Sequence, residues 1–197
     1  MDRKMMTQTH LVIAAALLAK PGAPARNRAA IAGALLPDLS IFVLFGWAVA
    51  TGIPQETLWR ETYWTEPWQT LGAISNSAPL WGLLALSLRA LTGTWLSVTT
   101  VLPLAALTHI TGDFPLHNSD AHQHVWPVSD WRFHSPVSYW ERDHFAGIVA
   151  PLEAILGAGL SIVLIRRFQS IWVRVVLASL VLAYLAVPVF FVLSLST

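Results

Sequence analysis

Three long apolar stretches limit what this chain can become. Residues 29–51 supply one of 23, residues 146–165 one of twenty, and residues 171–194 one of twenty-four containing a single arginine, Arg174. As helices, each is long enough to cross about 30 Å of hydrocarbon. Residues 94–110 give a slightly shorter candidate carrying Pro103, which a membrane helix tolerates. Residues 79–88, ended by Arg89, read as half of a further helix, and the last two could pair as a helical hairpin. Residues 7–19 complete the set as a short first helix. The expected fold is all-α: a polytopic integral membrane bundle of about five to six helices, forming one domain over residues 1–197. An alternative for the first 25 residues is a cleavable signal peptide, because Arg3 and Lys4 precede the apolar run 11–19 and an Ala23-Pro24-Ala25 triplet.

Composition agrees with a lipid-facing surface. Charged residues make up 12% and hydrophobic residues 55%, with a mean hydropathy of +0.56, against roughly a quarter charged in soluble domains. A net charge of +1 without a long basic run argues against a nucleic-acid partner. The chain has no cysteine, so any metal must be held by nitrogen and oxygen.

Six alternating segments place the N-terminus and the loops 52–78 and 110–143 on one side, with nine acids and five basic residues. The short connections on the other side carry Lys20, Arg26, Arg28, Arg89, Arg166, Arg167 and Arg174, and no acid. The positive-inside rule then puts the long polar loops outside, in the periplasm if the source is bacterial.

Two carboxylates interrupt the apolar stretches, Asp38 in LLPDLS and Glu153 in APLEAIL. An ionised acid at such depth costs at least about 2.5 kcal/mol unless it is paired or faces a wet cavity. Either a functional partner or a helix-to-helix hydrogen bond would satisfy it. The segment LTHITGDFPLHNSDAHQHVWP, residues 107–127, holds four of the seven histidines. His109 and Asp113 stand four apart at a helix end, so they share a face and can reach a common ion. His117, Asp120, His122, His124, His134 and His144 follow. The expected topology brings His10, His109, Asp113 and His144 to one outer face, with Asp38 and Glu153 approaching from below. Imidazole and carboxylate together suit zinc, manganese or iron(II), in a hydrolytic rather than a closed structural site.

WPVSDWRFHSPVSYW, residues 126–140, is either an interfacial aromatic belt or a platform for a lipid headgroup or acyl chain beside the metal. A phosphate-binding glycine loop is missing, and no GxSxG occurs, although Ser119 and Ser135 sit among histidines and acids.

The pieces THLVIAAALLA, GALLPDLS, THITGD and WPVSDWRF, in that order from His10 to about Glu153, resemble the membrane-bound metal-dependent hydrolase family. That family is similar in motif order to zinc-dependent phospholipase C and the single-strand nucleases sharing its all-helical fold. The resemblance implies a phospholipase C-like core, in which His10 and Asp38 match the first histidine and early aspartate, and His109 and Asp113 the His-x-x-x-Asp pair. Asp38 or Asp113 would bridge metals or activate water as the catalytic residue. His117, Asp120, His124 and His144 would complete a second metal position, with His124 preferred to His122 because it abuts the Trp-Pro motif. Glu153 is a further candidate ligand. The chain departs from the pattern at Ser40, where many members carry histidine, and at Asn76 and Ser77, where a His-Arg-rich motif is common.

The leading expectation is a membrane-embedded hydrolase with one or two metal ions, zinc foremost, cutting a phosphoester or other bond of a lipid-like substrate. A non-enzymatic metal-binding or transport protein, and a structural membrane protein whose histidines sense pH, are the alternatives.

Overall fold

The structure is a computed structural model describing residues 7–195, with side chains as far as residue 186. Arg3 and Lys4, which bear on the signal-peptide alternative, lie outside the described residues. Those described are helical or irregular, with no strand. Chain order gives α1 (Thr7–Leu18), α2 (Pro24–Leu35), α3 (Leu39–Thr51), α4 (Gln55–Arg60), α5 (Glu66–Ser75), α6 (Ala78–Thr92), α7 (Val98–Asp113), α8 (Ala146–Arg167) and α9 (Ile171–Leu195).

The inner layer is α1, α2 and α7, and small side chains build it. Ala14, Ala29, Ala30, Ala34, Val101 and Ala105 form one buried cluster with Leu18. Small residues let the helix backbones approach closely. The tightest contact is at Gly33 of α2, where any Cβ would collide with the carbonyl oxygen of Leu102 on α7. On the other flank α8 pairs with α9, and the Tyr184 ring covers Gly157, which likewise has no room for a Cβ. Thr9 of α1 donates to Glu153 Oε1 at 2.7 Å and lies 2.9 Å from the Tyr184 hydroxyl. Thr9 therefore ties α1 to the half-buried acid of α8 and to Tyr184 of α9.

The structure differs from the sequence expectation in two places. Residues 29–51 do not form one straight helix: α2 and α3 meet at a 66° bend across Leu36-Pro37-Asp38. Proline has no N–H to continue the ladder, so the break falls where the sequence puts Pro37, although Leu36 before it keeps helical geometry. Asp38 consequently stands at the N-cap position of α3 instead of mid-helix, with its carboxylate making no capping bond and accepting from Thr7 instead. Second, residues 52–78 are not simply a loop. They contain α4, the 3₁₀ turn Thr62–Trp64 and α5, and α5 runs almost end to end into α6.

The hairpin between α6 and α7 forms as expected, turning at Gly93, whose φ of 73° suits glycine. Ser77 and Ser97 cap the two helices by accepting from the N–H groups of Leu80 and Thr100. Among the described residues, two elements are long and apolar enough to cross a membrane, Glu66–Thr92 and Ala146–Arg167. The bent α2–α3 pair makes a third if it counts as one span.

Residues 114–145 wrap over the end of this bundle without regular structure, held by local bonds. Ser135 N–H donates to His117 O, Ser135 Oγ to Pro115 O and Asn118 Nδ2 to Ser135 O. The loop is pinned to the α5–α6 joint, where Ala78 N–H donates to His124 O and Ser77 Oγ to Trp126 O. Asn76 in turn donates to Pro37 O at the α2–α3 break.

Candidate metal centre

Three helix ends and one loop supply the site. His10 comes from the first turn of α1, Asp38 from the bend, His109 and Asp113 from the last turn and a half of α7, and His117, Asp120 and His122 from the loop that follows. Helical periodicity puts His109 and Asp113 on the same face, and the close packing at Gly33 presses that face against α2. There the Ala34 carbonyl accepts from His109 Nδ1 at 2.7 Å. A carbonyl oxygen only accepts, so Nδ1 carries the proton and Nε2 of the neutral ring presents a lone pair.

That lone pair points at oxygen. His109 Nε2 lies 2.9 Å from Asp113 Oδ2 and 3.6 Å from Asp38 Oδ1. The other Asp113 oxygen, Oδ1, lies 3.0 Å from His10 Nε2 and 3.5 Å from His117 Nε2. His10 and His109 stack face to face with centroids 3.6 Å apart, so two imidazolium charges there would repel. Their side chains are 2% and 0% exposed, and that of Asp113 is 5%.

Two overlapping sets result, each with its ligand atoms mutually within 4.8 Å: His10, His109 and Asp113, and Asp113, His117 and His122. Asp113 belongs to both. A buried polar atom without a partner costs about 1–3 kcal/mol. His10 Nδ1, His109 Nε2, His117 Nδ1 and Asp120 Oδ1 are all buried without an aligned hydrogen bond. Lone pairs facing carboxylates at these separations need a proton or a cation between them, so the residues present fit a divalent ion with nitrogen and oxygen ligands. An opening of about 480 Å³ reaches them past Thr7, Phe42 and Tyr139.

The loop part of the site is strongly polarised. Burial disfavours a charge on His117, but bonds and charges from Asp113 and Asp120 outweigh it and push its pKa up to about 10. Asp120, 3.0 Å from His117 Nδ1, is held below the usual carboxylate range despite its burial. Burial, and then the neighbouring His117 charge, push His122 down to about 3, so it stays neutral, the form that ligates. An ion bound to His117 must displace its proton.

The remaining sequence candidates lie elsewhere. His124 falls in neither set; its Nδ1 lies 3.2 Å from Asn76 O and its ring packs beside Phe114. His122, which the sequence reading ranked below it, takes the place in the second set. His144 sits on the 3₁₀ turn Arg142–His144, with Nδ1 3.2 Å from Pro136 O and Nε2 3.9 Å from Glu141. His134 bonds through Nδ1 to Asn118 O at 2.7 Å. Glu153 is engaged by Thr9. Tyr63, Tyr139 and Arg132, which line the site or the void beside it, were not singled out from sequence. Arg132 was visible there only as one of the few cations among the histidines.

The pair His122 and His124 makes a direct comparison. His122→Ala is expected to lower zinc content per chain by about one ion or weaken its retention at least tenfold, because a ligand is lost. His124→Ala should leave the content unchanged. Elemental analysis of the two purified variants reads the difference.

The chain matches no family model, no curated protein and no solved structure.

Proposed function

We propose that this protein is a membrane-embedded metal-dependent hydrolase acting on a phosphoester or other hydrolysable bond of a lipid-like substrate. The observation that carries the reading is His109: its Nδ1 proton is committed to Ala34, and its Nε2 faces the carboxylates of Asp113 and Asp38. Zinc is the ion best suited to this donor set, in one or two positions, with manganese or iron(II) as substitutes. A divalent ion held there would polarise a substrate oxygen and acidify water.

The residues divide the remaining work. Asp113, enclosed by three imidazoles, holds and bridges. Asp38 is the more accessible carboxylate, 20% exposed on the wall of the opening, and accepts from Thr7 Oγ1 at 2.7 Å through Oδ2. Its Oδ1 is left to orient a water and take its proton, the part of a general base. Exposed Phe42 at the rim gives an apolar chain a surface beside the polar centre.

A bundle of about six helical segments in the membrane accommodates this site at one rim. His10 stands in the first turn of α1, while its far end is capped by arginines: Arg26 Nε donates to Leu18 O and Arg167 to Ala16 O. Twelve residues of helix separate the ends by about 18 Å. The basic end faces the cytoplasm and the site the outer, periplasmic side of a bacterial inner membrane.

Protein purified in detergent without chelator should carry one to two zinc or manganese ions per chain. Phospholipid vesicles should be hydrolysed, with activity lost in chelator and restored by metal. Protein that is metal-free and refuses both added ions would end the proposal.

A further inference from the structure

Beside the metal-capable opening lies a second, narrower void of about 260 Å³, and the two share Ile41, Tyr63 and His122 as a common wall. Its chemistry is opposite in sign. The first opening is bordered by Asp38, Asp113 and Asp120; the second has no carboxylate on its wall and one guanidinium, Arg132.

Arg132 is held in place. One terminal nitrogen donates to Ala121 O at 2.5 Å and the other to Gln69 Oε1 at 2.9 Å. Both partners are neutral, and among the described residues no carboxylate forms an ion pair with it. A guanidinium has five N–H donors, so three remain after these two bonds. A rigid, half-buried cation with spare planar donors is the usual recognition element for a phosphate or carboxylate. Tyr63 stands on the shared wall. Burial, and next the charge of Asp120, push its phenol up to about 12, so the hydroxyl stays protonated at ordinary pH; it is bonded to Gln69, which also holds Arg132.

A free anion would be repelled by the three aspartates. Once cations offset them, an anion lying across the boundary at Tyr63 and His122 would meet metal on one side and the guanidinium on the other. We infer that Arg132 and Tyr63 form the anion-recognition wall of the site, binding the non-bridging oxygens of a phosphoryl group, so that the substrate is an anionic phosphoester and not a neutral ester or amide. This assignment rests on the hydrolase reading and narrows its substrate class.

Inorganic phosphate is the probe, titrated calorimetrically into the full-length, zinc-loaded protein in detergent. Arg132→Gln should weaken phosphate binding tenfold or more, since charge-assisted bonds are lost, while zinc content stays at the wild-type value. Arg132→Lys should recover part of the affinity. Equal phosphate affinity in wild type and Arg132→Gln, with zinc retained, overturns the assignment. If Arg132→Gln does not fold or hold zinc, the unmutated protein decides: phosphate should protect Arg132 from phenylglyoxal in peptide mapping, and absence of protection overturns the assignment. Should the wild type take up no metal, the hydrolase reading fails separately. Phosphate titration of that metal-free protein and its Arg132→Gln variant then tests the anion wall alone, with equal or absent binding counting against it.

Discussion

Asp113→Ala is expected to abolish metal retention, lowering affinity by more than about a hundredfold. Loss of a residue that merely supports a ligand costs about 10–100-fold, and Asp113 is a shared member of both ligand sets. Asp113→Asn, which keeps the shape and one oxygen but not the charge, should fail nearly as completely. The same change also removes the anion lying against His10, His109 and His117. Breaking a buried charge pair on one side destabilises by roughly 3–5 kcal/mol, so both variants should unfold at lower temperature than wild type even in chelator. Asp130→Ala, at an exposed position in the same loop, is the control and should change neither quantity. Elemental analysis and thermal denaturation in detergent measure the two effects. Full metal content in Asp113→Ala would remove Asp113 from the centre.

The second large effect is expected far from any ligand, at Gly33. A valine there cannot be accommodated by a rotamer change, because the obstructing atom is the backbone carbonyl of Leu102. Helix α2 must move off α7, at a cost near the upper end of overpacking, about 3 kcal/mol. The movement also separates Ala34 O from His109 Nδ1, a 2.7 Å bond that fixes which ring nitrogen faces the carboxylates. Metal affinity should fall by about 10–100-fold together with stability, as for other groups that orient a ligand. Gly46→Val on α3, where an added Cβ meets nothing within 4 Å, should leave both unchanged. Normal metal affinity in Gly33→Val would show that this interhelical contact does not orient His109.

Much of the candidate centre is legible in the sequence because helices impose a period. His109 and Asp113 fall four apart, and Asp38 stands out as an acid in apolar surroundings, so their convergence can be anticipated without coordinates. The loop offers no such ruler. Nothing in the spacing of His122 and His124 tells which turns inward, and that was decided by the pinning of His124 O and Nδ1 to the α5–α6 joint. Pro37 breaks the helix, a signal that the sequence reading of residues 29–51 as one apolar stretch does not use. Helices α4 and α5 were hidden by a composition rich in Thr, Trp and Glu, with no apolar run to mark them. The sequence leaves Glu153 open between a functional acid and a helix-to-helix hydrogen bond; the structure shows the second, from Thr9 of α1, an ordinary residue of a distant helix that no spacing in the sequence points to.

One carboxylate serving two ligand sets means that the two ion positions cannot fill independently. The first cation takes up negative charge that would have drawn in the second, and each then lowers the other's affinity by the same factor. Occupancy should therefore climb in two separated steps as free metal rises. Over a broad interval of metal activity the chain would carry a single ion, and completion of the pair would report a high supply of metal.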